Sequence, residues 1–153
     1  MRISTKFPIA VQILMIIAAL SHDRKINSDL ISESIGVNAV IIRNIFKSLK
    51  HAKMISVSPG PGGTILARSP HDISLWEIFS AVESVRTDGI FTSNAFPDKH
   101  SRIGENIYGI LRIHLDDGVR AMREELSKTT IATMVEELRG RMPDLPPLPE
   151  RDN

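Results

Sequence analysis

The chain has 153 residues, 42% of them apolar, with 19 Lys and Arg against 18 Asp and Glu. That length suits one compact domain, or a small domain with an extension, and no apolar run reaches the roughly 18 residues of a membrane-spanning helix. Cysteine is absent, which removes disulfide frameworks, thiolate-held iron–sulfur clusters, cysteine-ligated zinc fingers and thiol redox switches together.

The near-neutral total hides an asymmetry. Residues 1–70 carry nine basic and three acidic residues, a net of +6, and the remainder nets −5. A basic front half points to a polyanion as partner for that half alone.

The first twenty residues, MRISTKFPIAVQILMIIAAL, support two readings. Arg2 and Lys6 followed by an apolar run from Phe7 to Leu20 resemble a secretory signal, which would be removed. Equally, residues 5–21 place apolar side chains on nearly every face, as a helix enclosed by others does. Next, Asn27 or Ser28 offers an N-cap to a short helix with Asp29 in its first turn and Leu30, Ile31 and Ile35 on one face. Gly36 stops it.

Asn38 can cap a third helix running to about Lys53. Ile42, Ile45, Phe46 and Leu49 form its inner face, and Val40, Arg43, Asn44 and Lys47 its outer face. Two helices joined by a tight glycine-containing turn, the second basic on its outer face, form a helix-turn-helix pattern. The stretch ISVSPGPGGTILAR follows. Its β-prone runs Ile55–Ser58 and Thr64–Ala67 flank a Pro-Gly connector and predict a hairpin, hence a winged helix. Glycines there let the backbone approach a phosphate or a minor groove; a plain surface turn is the alternative.

Ser74-Leu75-Trp76-Glu77 is a capping box, and the helix it starts should bury Leu75, Ile78, Phe79 and Val82. Residues 86–102 are irregular. From Ile103 to about Lys128 a long helix repeats Ile107, Leu111, Leu115, Val119, Met122 and Leu126 every three or four residues. That stripe calls for a second copy of the chain, with packing on its own head as the alternative. Thr129 or Thr130 caps a last short helix with Ile131, Met134, Val135 and Leu138, and the proline-rich tail from Arg139 reads as disordered.

The expected fold class is mainly α with a small β-hairpin: a winged helix-turn-helix head over residues 1–85, a loop over 86–102, and a dimerisation helix with a short terminal helix over 103–138. Residues 139–153 form the tail. Nothing marks an enzyme. The five histidines (His22, His51, His71, His100 and His114) share no metal-ligand spacing, and no glycine-rich loop joins a strand to a helix. No catalytic residue, metal or cofactor is expected.

With these residues assembled, the chain resembles the IscR-like family of bacterial winged-helix regulators, also called the Rrf2 family, over about residues 1–138. The resemblance rests on the order and spacing of MRISTK, GVNAVIIRNIFKSLKHAKMI, GPGG, LARSPHDISLWEIFSAVE and ELSKTTIATMV. It implies a homodimeric, cytoplasmic transcription regulator, a repressor before an activator, that reads a pseudo-palindromic operator in double-stranded DNA and uses no membrane. It also implies that the opening stretch is kept, as the first helix of the DNA-binding head with its N-terminus near the DNA backbone.

Candidate DNA contacts under this resemblance are Arg2, Ser4 and Thr5 at the N-terminus, and Ser28 on the second helix. On and before the third helix they are Asn38, Val40, Ile41, Arg43, Asn44 and Lys47, and in the wing Gly60, Gly62 and Gly63. The Ile107–Leu126 stripe is the candidate dimer contact.

The chain departs from the family pattern in two places. Members that bind a cluster or sense by thiols carry cysteines before the long helix, where this chain reads NAFPDKHSRIGEN, which puts it in a cysteine-less, non-cluster subgroup. The wing is one residue shorter than the usual GPGGGY form, with Pro59 where many members have arginine. DNA work shifts to the third helix and the N-terminus. The short wing also keeps a second reading in view, a winged-helix protein-interaction module that has lost DNA binding. Whether the 86–105 loop takes a small-molecule effector, a metal or nothing stays open.

Overall fold

The computed structural model describes residues 4–58, 62–83 and 102–148. Along these residues run α1 (Lys6–Leu20), α2 (Ser28–Ile35), α3 (Ala39–His51), β1 (Ile55–Ser58), β2 (Gly63–Leu66), a 3₁₀ turn (Pro70–Asp72), α4 (Leu75–Val82), α5 (Arg102–Lys128) and α6 (Ile131–Arg141). The result is a mostly helical winged-helix fold with one two-stranded antiparallel hairpin.

Helix α1 is the axis of the core. Ala10, Ile13, Leu14 and Ile17 are fully buried, and α3, α4 and α6 pack around them. Its all-round apolar surface follows from that enclosure, and Pro8 sits in the first turn, where a missing N–H breaks no helical bond. The ring of Phe7 meets Phe79 of α4 edge to face, with centroids 5.4 Å apart.

Helix α2 begins at Asn27, whose side chain accepts from the N–H groups of Asp29 and Leu30, at 3.1 and 2.8 Å. It ends at Gly36, left-handed with φ 69°. Asn38 caps α3 by accepting from Val40 N–H at 2.8 Å. This helix stops at His51, two residues short of Lys53. Lys53 turns left-handed (φ 55°), and Met54 N–H folds back to the Leu49 carbonyl at 2.9 Å, closing the helix without a glycine.

In the hairpin Ile55 pairs with Leu66 and Ser58 with Gly63. The second strand therefore starts at Gly63 and not at Thr64, and it ends before Ala67. Thr64 N–H donates to the Ile26 carbonyl at 2.9 Å, so the strand is seated on the α1–α2 connection from its first residues.

The capping box at Ser74 forms in full. The buried residue beside it is Trp76, however, with Leu75 only half-buried. Trp76 and Phe79, three residues apart on one face, lie 5.6 Å apart and carry the helix's aromatic contact. The starts of α4 and α6 are tied together: Leu75 N–H donates to Thr129 O at 3.0 Å, and Ile131 N–H to Ile73 O at 2.9 Å. Thr130 caps α6 by accepting from Thr133 N–H at 3.3 Å.

The 27 residues of α5 include none that is fully buried, and its C-terminal half packs toward α4. One expectation for the C-terminal third changes. The tail does not begin at Arg139, because α6 continues to Arg141, and Leu148 packs against the core. Among the described residues no helix is long and apolar enough to cross a membrane. The expected irregular segment over 86–102 lies almost wholly outside the described residues, as do Arg2 and Gly60.

Candidate nucleic-acid interface

The turn at Gly36 sets α2 and α3 against each other, and burial of Ile42, Ile45 and Leu49 fixes which face of α3 looks outward. On that outer face Val40, Ile41, Arg43, Asn44 and Lys47 are all exposed, Val40 at 58% and Ile41 at 44%. Large β-branched side chains at the head of a helix, left in water beside an arginine and a lysine, suit the mixed apolar and polar floor of a DNA groove. Asn38, also exposed, is occupied as the cap.

Arg43 is not free on this face. Its Nε donates to Ser28 Oγ at 3.1 Å and its Nη2 to Asp29 Oδ1 at 3.1 Å. Ser28 was expected at the interface and stands beside Arg43. The sequence position of Asp29 explains only its place as a first-turn acid of α2. Its link to Arg43 exists only once α2 and α3 are folded together.

At the N-terminus, Ser4 Oγ donates to Glu83 Oε1 at 2.7 Å and accepts Lys6 N–H at 3.1 Å, which pins the chain start to the end of α4. Thr5 precedes α1, exposed and without a side-chain capping bond. In the wing Gly62 is exposed but Gly63 is buried. Gly63 has φ 70°, and a Cβ there would lie 2.8 Å from Lys25 Cγ and 3.1 Å from the Ile26 carbonyl oxygen. Its glycine serves the seating of the hairpin on the α1–α2 connection, so Gly63 has no face left for DNA.

Arg68, at the end of the hairpin, donates through Nη2 to Glu77 Oε1 at 2.8 Å, while Glu77 Oε2 accepts Ser74 N–H at 3.0 Å. Burial works against the charged Glu77 carboxylate. The Ser74 backbone bond and the Arg68 guanidinium outweigh it and hold the carboxyl below its ordinary pKa. This pair joins the wing to α4.

The stripe on α5 divides. Leu115, Val119, Met122 and Leu126 are half-buried, and this half of the helix packs toward α4, where the Arg123 guanidinium lies over Trp76. Ile107 and Leu111 are exposed, and with them Ile103, Ile110 and Ile113, all between 50% and 73% accessible. The last three were not in the expected stripe. They broaden it into a face, and only the absence of neighbours in the folded chain reveals that.

Among the described residues no three His, Asp or Glu side chains gather where a metal ion could sit, and the chain has no cysteine. Thiolate ligation of an iron–sulfur cluster therefore has no ligands here.

Against this geometry the comparisons with known proteins are consistent. The model of the Rrf2 family, described as iron-dependent transcriptional regulators, matches residues 3–137. A similar curated protein is YwnA of Bacillus subtilis, described as an HTH-type transcriptional regulator, 29% identical over 136 residues that span 89% of this chain and 98% of YwnA. A solved structure described as that of a candidate DNA-binding protein superposes with TM-score 0.68 at 27% identity, over 85% of this chain and 98% of the other. The fold is also shared with IscR of T. potens, at TM-score 0.62 and 20% identity over 92% of this chain and 90% of that one. The matched family and relatives are regulators of transcription and not enzymes.

Proposed function

The chain belongs to the Rrf2 family of transcriptional regulators, and from that premise we propose that it is a homodimeric repressor that reads a pseudo-palindromic operator in double-stranded DNA. The carrying observation is the outer face of α3, where Val40, Ile41, Arg43, Asn44 and Lys47 stand exposed together in the basic half of the chain. Two such helices related by a dimer two-fold would enter the major groove about one helical turn apart, roughly 34 Å. Arg43 faces a base edge and Lys47, one turn on, a phosphate. Ile41 and Val40 supply apolar contact of the kind a thymine methyl accepts.

The dimer reading is supported by the exposed apolar half of α5. Five large aliphatic side chains on one arm leave a surface that water penalises, and a second copy would cover it. On this reading residues 4–83 with α6 form the DNA-binding head and α5 the dimer arm. Repression requires only that the dimer occupy its operator. On this reading the protein acts in the bacterial cytoplasm, where the DNA is.

Fluorescence anisotropy with duplexes from its own upstream region tests the proposal. Binding should weaken steeply with salt, with a log–log slope of about −0.9 per phosphate contact. Absence of salt-dependent binding to any duplex would instead favour the interaction-module reading, in which the short wing marks a head that no longer holds DNA.

A further inference from the structure

We propose that Asp29 and Ser28 are positioning residues for base reading: they hold the Arg43 guanidinium by one edge and thereby present its other edge to a guanine. This rests on the reading of α3 as the recognition helix. A guanidinium carries five N–H donors in a planar fork. One edge consists of Nε–H and the nearer Nη2–H, and the end consists of Nη1–H and the outer Nη2–H. The Ser28 hydroxyl accepts from Nε at 3.1 Å and Asp29 Oδ1 from Nη2 at 3.1 Å, so the two holders take the neighbouring nitrogens of the first edge and neither takes Nη1. The free end has the spacing that meets O6 and N7 of guanine with two parallel bonds.

Fold stability does not account for this pair. The Arg43 and Asp29 side chains are 55% and 69% exposed, a setting in which an ion pair adds little to stability. Its effect lies in orientation, because an arginine held in advance has less side-chain freedom to lose when it meets a base. The holders are themselves fixed. Ser28 and Asp29 form the first turn of α2, which Asn27 caps, and a carboxylate is favoured at that helix end. The carboxylate also repels phosphate, so Asp29 disfavours DNA that offers Arg43 no guanine.

The test uses full-length protein and duplex selection from a randomised library, followed by binding isotherms on the selected site with single base-pair changes. Wild type should select a guanine in each half-site that Arg43→Ala no longer selects. Asp29→Ala should lose about tenfold of that preference, at that base pair only, and bind random duplex about twofold more tightly. Asp29→Asn, which keeps an oxygen acceptor, should restore much of the preference. Ser28→Ala, which removes the Nε acceptor, gives the same readout should the Asp29 variants not fold. Wild-type guanine preference in Asp29→Ala and Ser28→Ala, or an equal loss at every base pair, would overturn the positioning role while leaving Arg43 as the reader. Identical sites for wild type and Arg43→Ala would remove the recognition-helix reading, and the positioning role with it.

Discussion

Arg123 of α5 lies over the indole of Trp76 in α4, its guanidinium carbon 5.9 Å from the ring centroid. This cation–π contact stands where α5 meets α4. Contacts of this kind contribute about 0.5–1 kcal/mol at exposed sites. Arg123→Ala should therefore lower the melting midpoint by about 1–4 °C. Trp76 is the single tryptophan of the chain, so its emission should shift in the same variant. An unchanged emission spectrum would mean that the contact is not populated in solution.

The division of the α5 stripe gives two classes of variant. Leu111→Asp introduces a charge on the exposed half and should yield a folded monomer, since an unpaired charge in an apolar interface costs several kcal/mol. Leu115→Asp and Val119→Asp fall on the half packed toward the head, so both should also lose stability. Sedimentation velocity with circular dichroism separates the classes. A folded dimer of Leu111→Asp would show that the arm is not the dimer contact.

Arg43 and Lys47 should differ in kind. Arg43→Ala is expected to cost about 1–3 kcal/mol on the best operator and much less on random DNA. Lys47→Ala should weaken both alike and reduce the salt slope by about one unit. Isotherms on matched and scrambled duplexes decide. Equal losses for Arg43→Ala on both would reduce it to a backbone contact.

Glu77 gives a pH dependence with a definite sign. Its folded carboxyl is held below the ordinary value, so its stabilising contribution is complete above the unfolded pKa of about 4.3 and lost as pH falls through the lower folded value. Glu77→Gln should flatten the acid limb of the stability curve below about pH 4.3 and remove part of the Ser74 cap. Denaturant melts from pH 3 to 7 would show it, and parallel wild-type and Glu77→Gln curves would contradict it.

Lacking any thiolate, the protein should be colourless after anaerobic purification, and peroxide should leave its DNA affinity unchanged. An iron–sulfur absorbance band in the visible would refute the assignment to a cluster-free subgroup.

How much of this was legible in the sequence depended on how local the physics was. Asn27, Gly36, Asn38, Ser74 and Thr130 bound their helices through side-chain or backbone chemistry within four residues, and each helix end they mark could be read from the sequence, for Asn27 and Thr130 as one of two neighbouring candidates. The winged-helix fold class was legible for the same reason. Tertiary choices were not. Trp76 is buried beside Phe79 and under Arg123, while Leu75 is only half-buried against the core. Gly63 became a packing glycine because the Ile26 backbone crosses beneath it. Asp29 meets Arg43 across fourteen residues of sequence, a distance no periodicity reports.

Helix α6 packs on α1, and Ile131 and Val135 complete a core begun at Ile9. Synthesis therefore delivers the most apolar helix first and one of its covers last. At about 5–20 residues per second, α1 would wait roughly 6–25 s for residues that far downstream. The helix-turn-helix cannot reach its final support before α6 has been made. Over the same interval α1 is a natural client for a chaperone that holds exposed apolar helices.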